Sequence, residues 1–117
     1  MKHIHFLIIF IFNLTQCFAV EENMDAKYFV ALQYLDKAYN VGQNIKDENV
    51  KSALIYHLES CKANFQKDFK TKNFAHMADR AICLNENMGE ILADSDQHDL
   101  KMTISTYIND MAELFQD

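Results

Sequence analysis

Five basic side chains fall between positions 62 and 80: Lys62, Lys67, Lys70, Lys72 and Arg80. Only Asp68 and Asp79 oppose them, so the stretch is net +3. Asn73 sits where a helix would begin, and the free N–H groups of a helix start favour phosphate-like anions. His76 adds charge at acidic pH. Phe69 and Phe74 flank the same turn and are placed to press into a lipid headgroup layer. The chemistry suggested is capture of a phosphorylated headgroup or an anionic membrane surface, where each Lys or Arg contributes about 1 kcal/mol. The expected ligand-binding residues are therefore Lys67, Lys70, Lys72, His76 and Arg80. The ordinary alternative is solvated lysines beside a turn, with the two phenylalanines closing the core. Glu21, Glu22, Asp25, Glu113 and Asp117 would dilute the field if both termini lie at that end.

Other chemistries have less behind them. His57 and Cys61 share one helix face, with His76 and Cys83 on the next segment, but a zinc site needs four converging ligands. Across a hairpin His57 would face position 87 and His76 position 68, so the imidazoles stand apart and no metal is expected. A haem bundle resembling cytochrome b562 would need Met24 and His98 as axial ligands. Those positions open the first and fourth segments, at opposite ends of an up-down bundle, and no cofactor is expected. His57 and Glu59 are two apart on a helix and point different ways. No Ser/His/Asp set or glycine-rich phosphate loop is present, so the reading is a non-enzymatic protein.

Four segments must position these residues. The chain has no proline and two glycines, a composition that permits long helices. The first segment runs from about Asp25 to Val41, with Tyr28, Leu32, Leu35 and Tyr39 as its stripe and Gly42 as C-terminal cap. The second runs from about Glu48 to Phe69 behind the N-cap Asp47, with Val50, Leu54, Leu58, Cys61, Phe65 and Phe69 inward. The third runs from about Phe74 to Ala93, opened by Asn73, with Met77, Ala81, Leu84, Met88 and Ile91 inward and Gly89 as a point of kinking or early termination. The fourth runs from about Gln97 to Phe115 after Ser95 or Asp96, with Leu100, Ile104, Ile108, Met111 and Phe115 inward. Short connections make neighbours antiparallel, so the fold expected is an all-α, up-down four-helix bundle. Met77, Met88, Met102 and Met111, with Tyr107, read as core. Tyr34 and Tyr56 fall off their stripes and are candidates to cover a groove or a homodimer face.

Residues 1–19 carry the order of a secretory signal peptide: a mildly basic start, an apolar run from Ile4 to Phe12, and small residues before a cut after Ala19. An uncleaved anchor is the alternative, and Leu14 to Cys17 also allows a lipid attachment at Cys17. The remaining domain, residues 20–117, is small enough that a staple would help. Cys61 and Cys83 are its two cysteines, and their midpoint, 72, falls in the turn expected at Lys70 to Asn73. A disulfide closing a loop of about 23 residues would stabilise by roughly 3 kcal/mol. Against it, Cys83 lies about 100° around its helix from Leu84.

Removing Lys2 with the leader takes the formal net charge from −6 to −7, which argues against nucleic acid as a partner. The exported, Lys- and Asn-rich, proline-free chain with one cysteine pair resembles the small helical proteins that Legionella and similar intracellular bacteria send out by type II secretion. That resemblance implies release from the cell, contact with a host and a role in virulence, and it transfers no functional residue. The expectation is a secreted or periplasmic protein that binds phosphoinositide-type headgroups. The rival is a homodimeric protein-interaction module acting in the periplasm or on a host protein.

Overall fold

The structure is a computed structural model, and it describes residues 23–116. The signal peptide expected over residues 1–19, Cys17, Glu21, Glu22 and Asp117 lie outside the described residues. Four helices follow one another: α1 (residues 23–42), α2 (Glu48–Lys70), α3 (Phe74–Ile91) and α4 (His98–Glu113). Among the described residues there is no strand. No helix there is long and apolar enough to cross a membrane.

The helices run alternately up and down. Tyr28, near the start of α1, stacks on Phe69, near the end of α2, with ring centroids 4.0 Å apart. Asn85 of α3 donates from its amide to Asn109 of α4 at 3.3 Å, and Tyr34 of α1 meets Tyr107 of α4 at 6.4 Å between centroids. The α2–α3 turn therefore shares one pole with the start of α1 and the end of α4. The α1–α2 and α3–α4 loops share the other pole. There the Gln97 side chain ties them together, accepting from Lys46 N at 2.7 Å and donating to Asn44 O at 3.2 Å. This task explains why Gln97, the residue before α4, makes no side-chain cap for its own helix. The caps expected of Asp47 and Asn73 are made: Asp47 accepts from Asn49 N and Val50 N, and Asn73 from His76 N.

The core follows the expected stripes on α2, α3 and α4. Phe65, Leu54, Leu58, Met77, Met88, Ile104, Ile108 and Met111 are fully buried. Each such side chain contributes roughly 1.5–3 kcal/mol on leaving water. The innermost line of α1 departs from expectation. It is Tyr28, Ala31, Leu35, Ala38 and Gly42, while Leu32 and Tyr39 are half-buried beside it. Small residues there let α2 approach closely. A Cβ on Gly42 would stand 2.8 Å from Cδ2 of the buried Leu54. Gly42 has no positive φ, so close packing is its role rather than the cap expected. Nor does Gly89 break α3, which continues to Ile91. Met102 is not core but 58% exposed on α4.

These two glycines should respond in opposite directions to substitution. A Cβ at Gly89 meets nothing within 4 Å, so Gly89→Ala should stabilise the fold by about 1 kcal/mol through helix propensity. Gly42→Val should destabilise it by roughly 2 kcal/mol through overpacking against Leu54. Denaturant unfolding of both variants checks the pair, and a destabilised Gly89→Ala would contradict the open surroundings assigned to it.

Candidate functional site

The α2–α3 turn is built by a defined helix ending. Lys72 N donates to Phe69 O at 3.1 Å, and Asn73 N donates to Asp68 O at 2.8 Å. This is the double bond pattern of a Schellman ending, which needs one residue in the left-handed region. That residue is Lys72, at φ 56°. The position usually suits glycine, and a side-chain-bearing residue there costs about 1 kcal/mol. Thr71 Oγ1 donates to the carbonyls of Lys67 and Asp68 at 3.1 and 3.2 Å. The carbonyls of Lys67, Asp68 and Phe69 are thus satisfied locally, and Lys67 and Lys70 sit in a last turn whose dipole favours positive charge.

The five expected ligand-binding residues divide into two groups. Lys67, Lys70 and Lys72 are exposed, and no described carboxylate lies within ion-pair distance of them. Arg80 instead turns inward. Its Nε donates to Oδ2 of Asp68 at 2.6 Å, and the Asp68 side chain is only 4% exposed. His76 Nδ1 stands 3.8 Å from the other Asp68 oxygen. Asp68 therefore takes up the charge of Arg80, while the His76 side chain stays 60% exposed. Lys62, also part of the basic count, pairs with Asp36 of α1 at 3.0 Å. The outward positive charge of the turn is consequently that of three lysines, opposed by the exposed Asp79.

Aromatic residues gather at the same pole. Phe69 and Phe74 are half-buried against the core, so neither presents a free face as the spacing suggested. The exposed aromatic is Phe29, at 58%, held edge-on to Tyr28 at 5.2 Å and to Phe69 at 6.1 Å. Sequence reasoning missed it because it lies one residue beyond Tyr28, outside the stripe. The available signal was that two adjacent aromatics on a helix cannot both face one core.

Behind the turn, α2 and α3 enclose a shallow groove of about 200 Å³, lined in part by Cys61, Arg80, Cys83 and Asn87. The disulfide expected here is not formed, and both cysteines are free thiols. Cys61 belongs to the buried stripe, whereas Cys83 is exposed at the groove's edge, where Asn87 Nδ2 donates to its sulfur at 3.3 Å. The rotation of Cys83 away from Leu84 explains the mismatch. Burial pushes the Cys61 thiol up to about 12, helped by Asp68 and Cys83 and opposed by Arg80.

Three outcomes follow from this geometry. A chromogenic thiol reagent should titrate Cys83 in the native protein and Cys61 only after unfolding; absence of any free thiol would restore the crosslink. The unfolded chain releases the Cys61 proton near 9, and the folded one near 12, so between those values the folded state holds more protons. Stability should therefore fall as pH rises through that window, and less steeply in Cys61→Ala, as alkaline denaturation would show. Asp68→Ala should cost roughly 2 kcal/mol by leaving Arg80 without its carboxylate, at the modest end for a buried pair because Arg80 is a third exposed. No family model, curated protein or solved structure matches the chain, so the chemistry of its own residues carries the functional reading.

Proposed function

We propose that this chain is an exported, non-enzymatic binding protein that takes an anionic phosphorylated ligand, phosphoinositide-type lipid headgroups above all, on the pole formed by the α2–α3 turn. Lys67, Lys70 and Lys72 are the contacting cations. Arg80 acts through Asp68, holding the turn rather than touching the ligand, and the exposed His76 stands beside the lysines. The observation that carries the reading is the division of charge: Lys62 and Arg80 are neutralised by Asp36 and Asp68, whereas the three lysines of the turn have no such partner among the described residues. Lys72 adds to this. A lysine holds a left-handed position that glycine would occupy more comfortably, and local strain of this kind concentrates at functional sites.

A homodimer has less support. Tyr56 on α2 is 68% exposed, but Tyr34 on α1 is partly buried and packs against Tyr107 of α4. They do not add up to one continuous face.

Pelleting with vesicles tests the proposal. Phosphoinositide vesicles should retain the protein at low salt, neutral vesicles should not, and retention should fall as salt screens the lysines. Lys72→Gly separates binding from folding: it should raise stability by about 1 kcal/mol and weaken vesicle binding about fivefold. Reversing Lys67, Lys70 and Lys72 together to Glu should abolish retention. Equal retention on neutral and phosphoinositide vesicles would end the proposal. A dimer in sedimentation whose partner binding survives the reversal would favour the protein-interaction reading.

A further inference from the structure

We infer that the basic pole docks on an anionic bilayer, rather than on a soluble phosphorylated ligand, with Phe29 inserted among the lipids as its apolar anchor; this rests on the binding reading above. An aromatic cluster holds Phe29 in place. Tyr28 and Phe69 stack at 4.0 Å with an interplanar angle of 7°, joining the beginning of α1 to the end of α2. Phe29 meets both rings edge-on, at 64° and 61°. Its inner edge is thereby fixed and its outer part left in water. Val30 beside it is 36% exposed. An apolar group on a rigid aromatic base loses little freedom when it enters a second apolar phase.

Charge then specifies the phase. Lys67 and Lys70 flank Phe69 along the chain, and Lys72 follows in the turn. Asp25, Asp79 and Glu113 stand at the same end and weaken the attraction, so lysine charge and apolar insertion have to act together. Reversible membrane attachment commonly needs two such weak signals. The far pole is acidic, with Glu90, Asp94, Asp96 and Asp99 around the α3–α4 loop. α2 spans 23 residues, a length of about 34 Å, against a screening length of about 8 Å at physiological salt. The acidic pole is therefore screened from a surface that the lysines touch. A protein of net negative charge can still approach an anionic surface, provided it comes turn first.

The chain contains no tryptophan, so Phe29→Trp introduces a single reporter at an exposed position that should tolerate it. The test uses the processed chain, whose bundle lies within residues 23–116. With vesicles of phosphatidylcholine containing phosphatidylinositol phosphate, emission should shift to the blue, and brominated acyl chains should quench it. Phosphatidylcholine alone should do neither. Soluble inositol phosphates, if they bind, should leave the emission in its aqueous position. Phe29→Ser should weaken vesicle partition about tenfold while leaving any binding of soluble inositol phosphate unchanged. Retention on anionic vesicles with no shift and no quenching would overturn insertion while leaving the basic pole intact as a headgroup site. No retention on any vesicle would overturn both.

Discussion

The organisation of the basic pole depends on Asp68. It is the one carboxylate of α2 that lies in the buried stripe, and it works through both backbone and side chain. Its carbonyl receives Asn73 N and Thr71 Oγ1, which closes the helix ending. Its side chain receives Arg80 from the second turn of α3, which sets how α3 departs from that ending. A buried carboxylate with no partner would carry a large desolvation penalty. The hairpin is therefore constrained to bring Arg80 inward, and a different α2–α3 angle would leave Asp68 unmatched.

The same constraint decides which cations face solvent. Because Arg80 is held by Asp68, and Lys62 by Asp36, the turn's outward field comes from Lys67, Lys70 and Lys72. These are compact, strongly hydrated point charges on flexible stems, unlike a planar guanidinium suited to bidentate capture. A set of three such charges with no rigid fork is better matched to a diffuse anionic surface than to one tightly specified phosphate. The character of the site thus follows from which charges the fold uses internally.

Much of the bundle was legible in the residues. The caps at Asp47 and Asn73 and the inward faces of α2, α3 and α4 follow from side-chain chemistry and helical spacing, and both are local properties. What was not legible depends on partners distant in sequence. The inner line of α1 includes Ala31, Ala38 and Gly42, and the small size of Gly42 means nothing until Leu54 is seen against it. Asp68 reads as a surface charge until Arg80 is placed beside it, three turns of sequence away. Of the five basic residues named for the site, the three lysines and His76 are exposed, while Arg80 pairs with Asp68, a contact the spacing alone does not reveal. Cys61 and Cys83 are level in the hairpin, but level is an axial property. Rotation about α3 places Cys83 at the edge, and an exposed Met102 shows the same blindness to rotation on α4.

With no crosslink between α2 and α3, the ends of the bundle must be held by packing. At the loop pole, Gln97 does this by bridging backbone groups. At the turn pole, aromatic rings do it: Tyr28 on Phe69, and Phe65 against Phe115 at 5.9 Å. Aromatic closure has a geometric consequence that polar bridging lacks. The rings that join α1 to α2 leave an apolar edge at this pole among the described residues. That edge is Phe29, which meets both stacked rings edge-on and is 58% exposed. The apolar surface beside the lysines is thus the outer side of the contact that closes the fold.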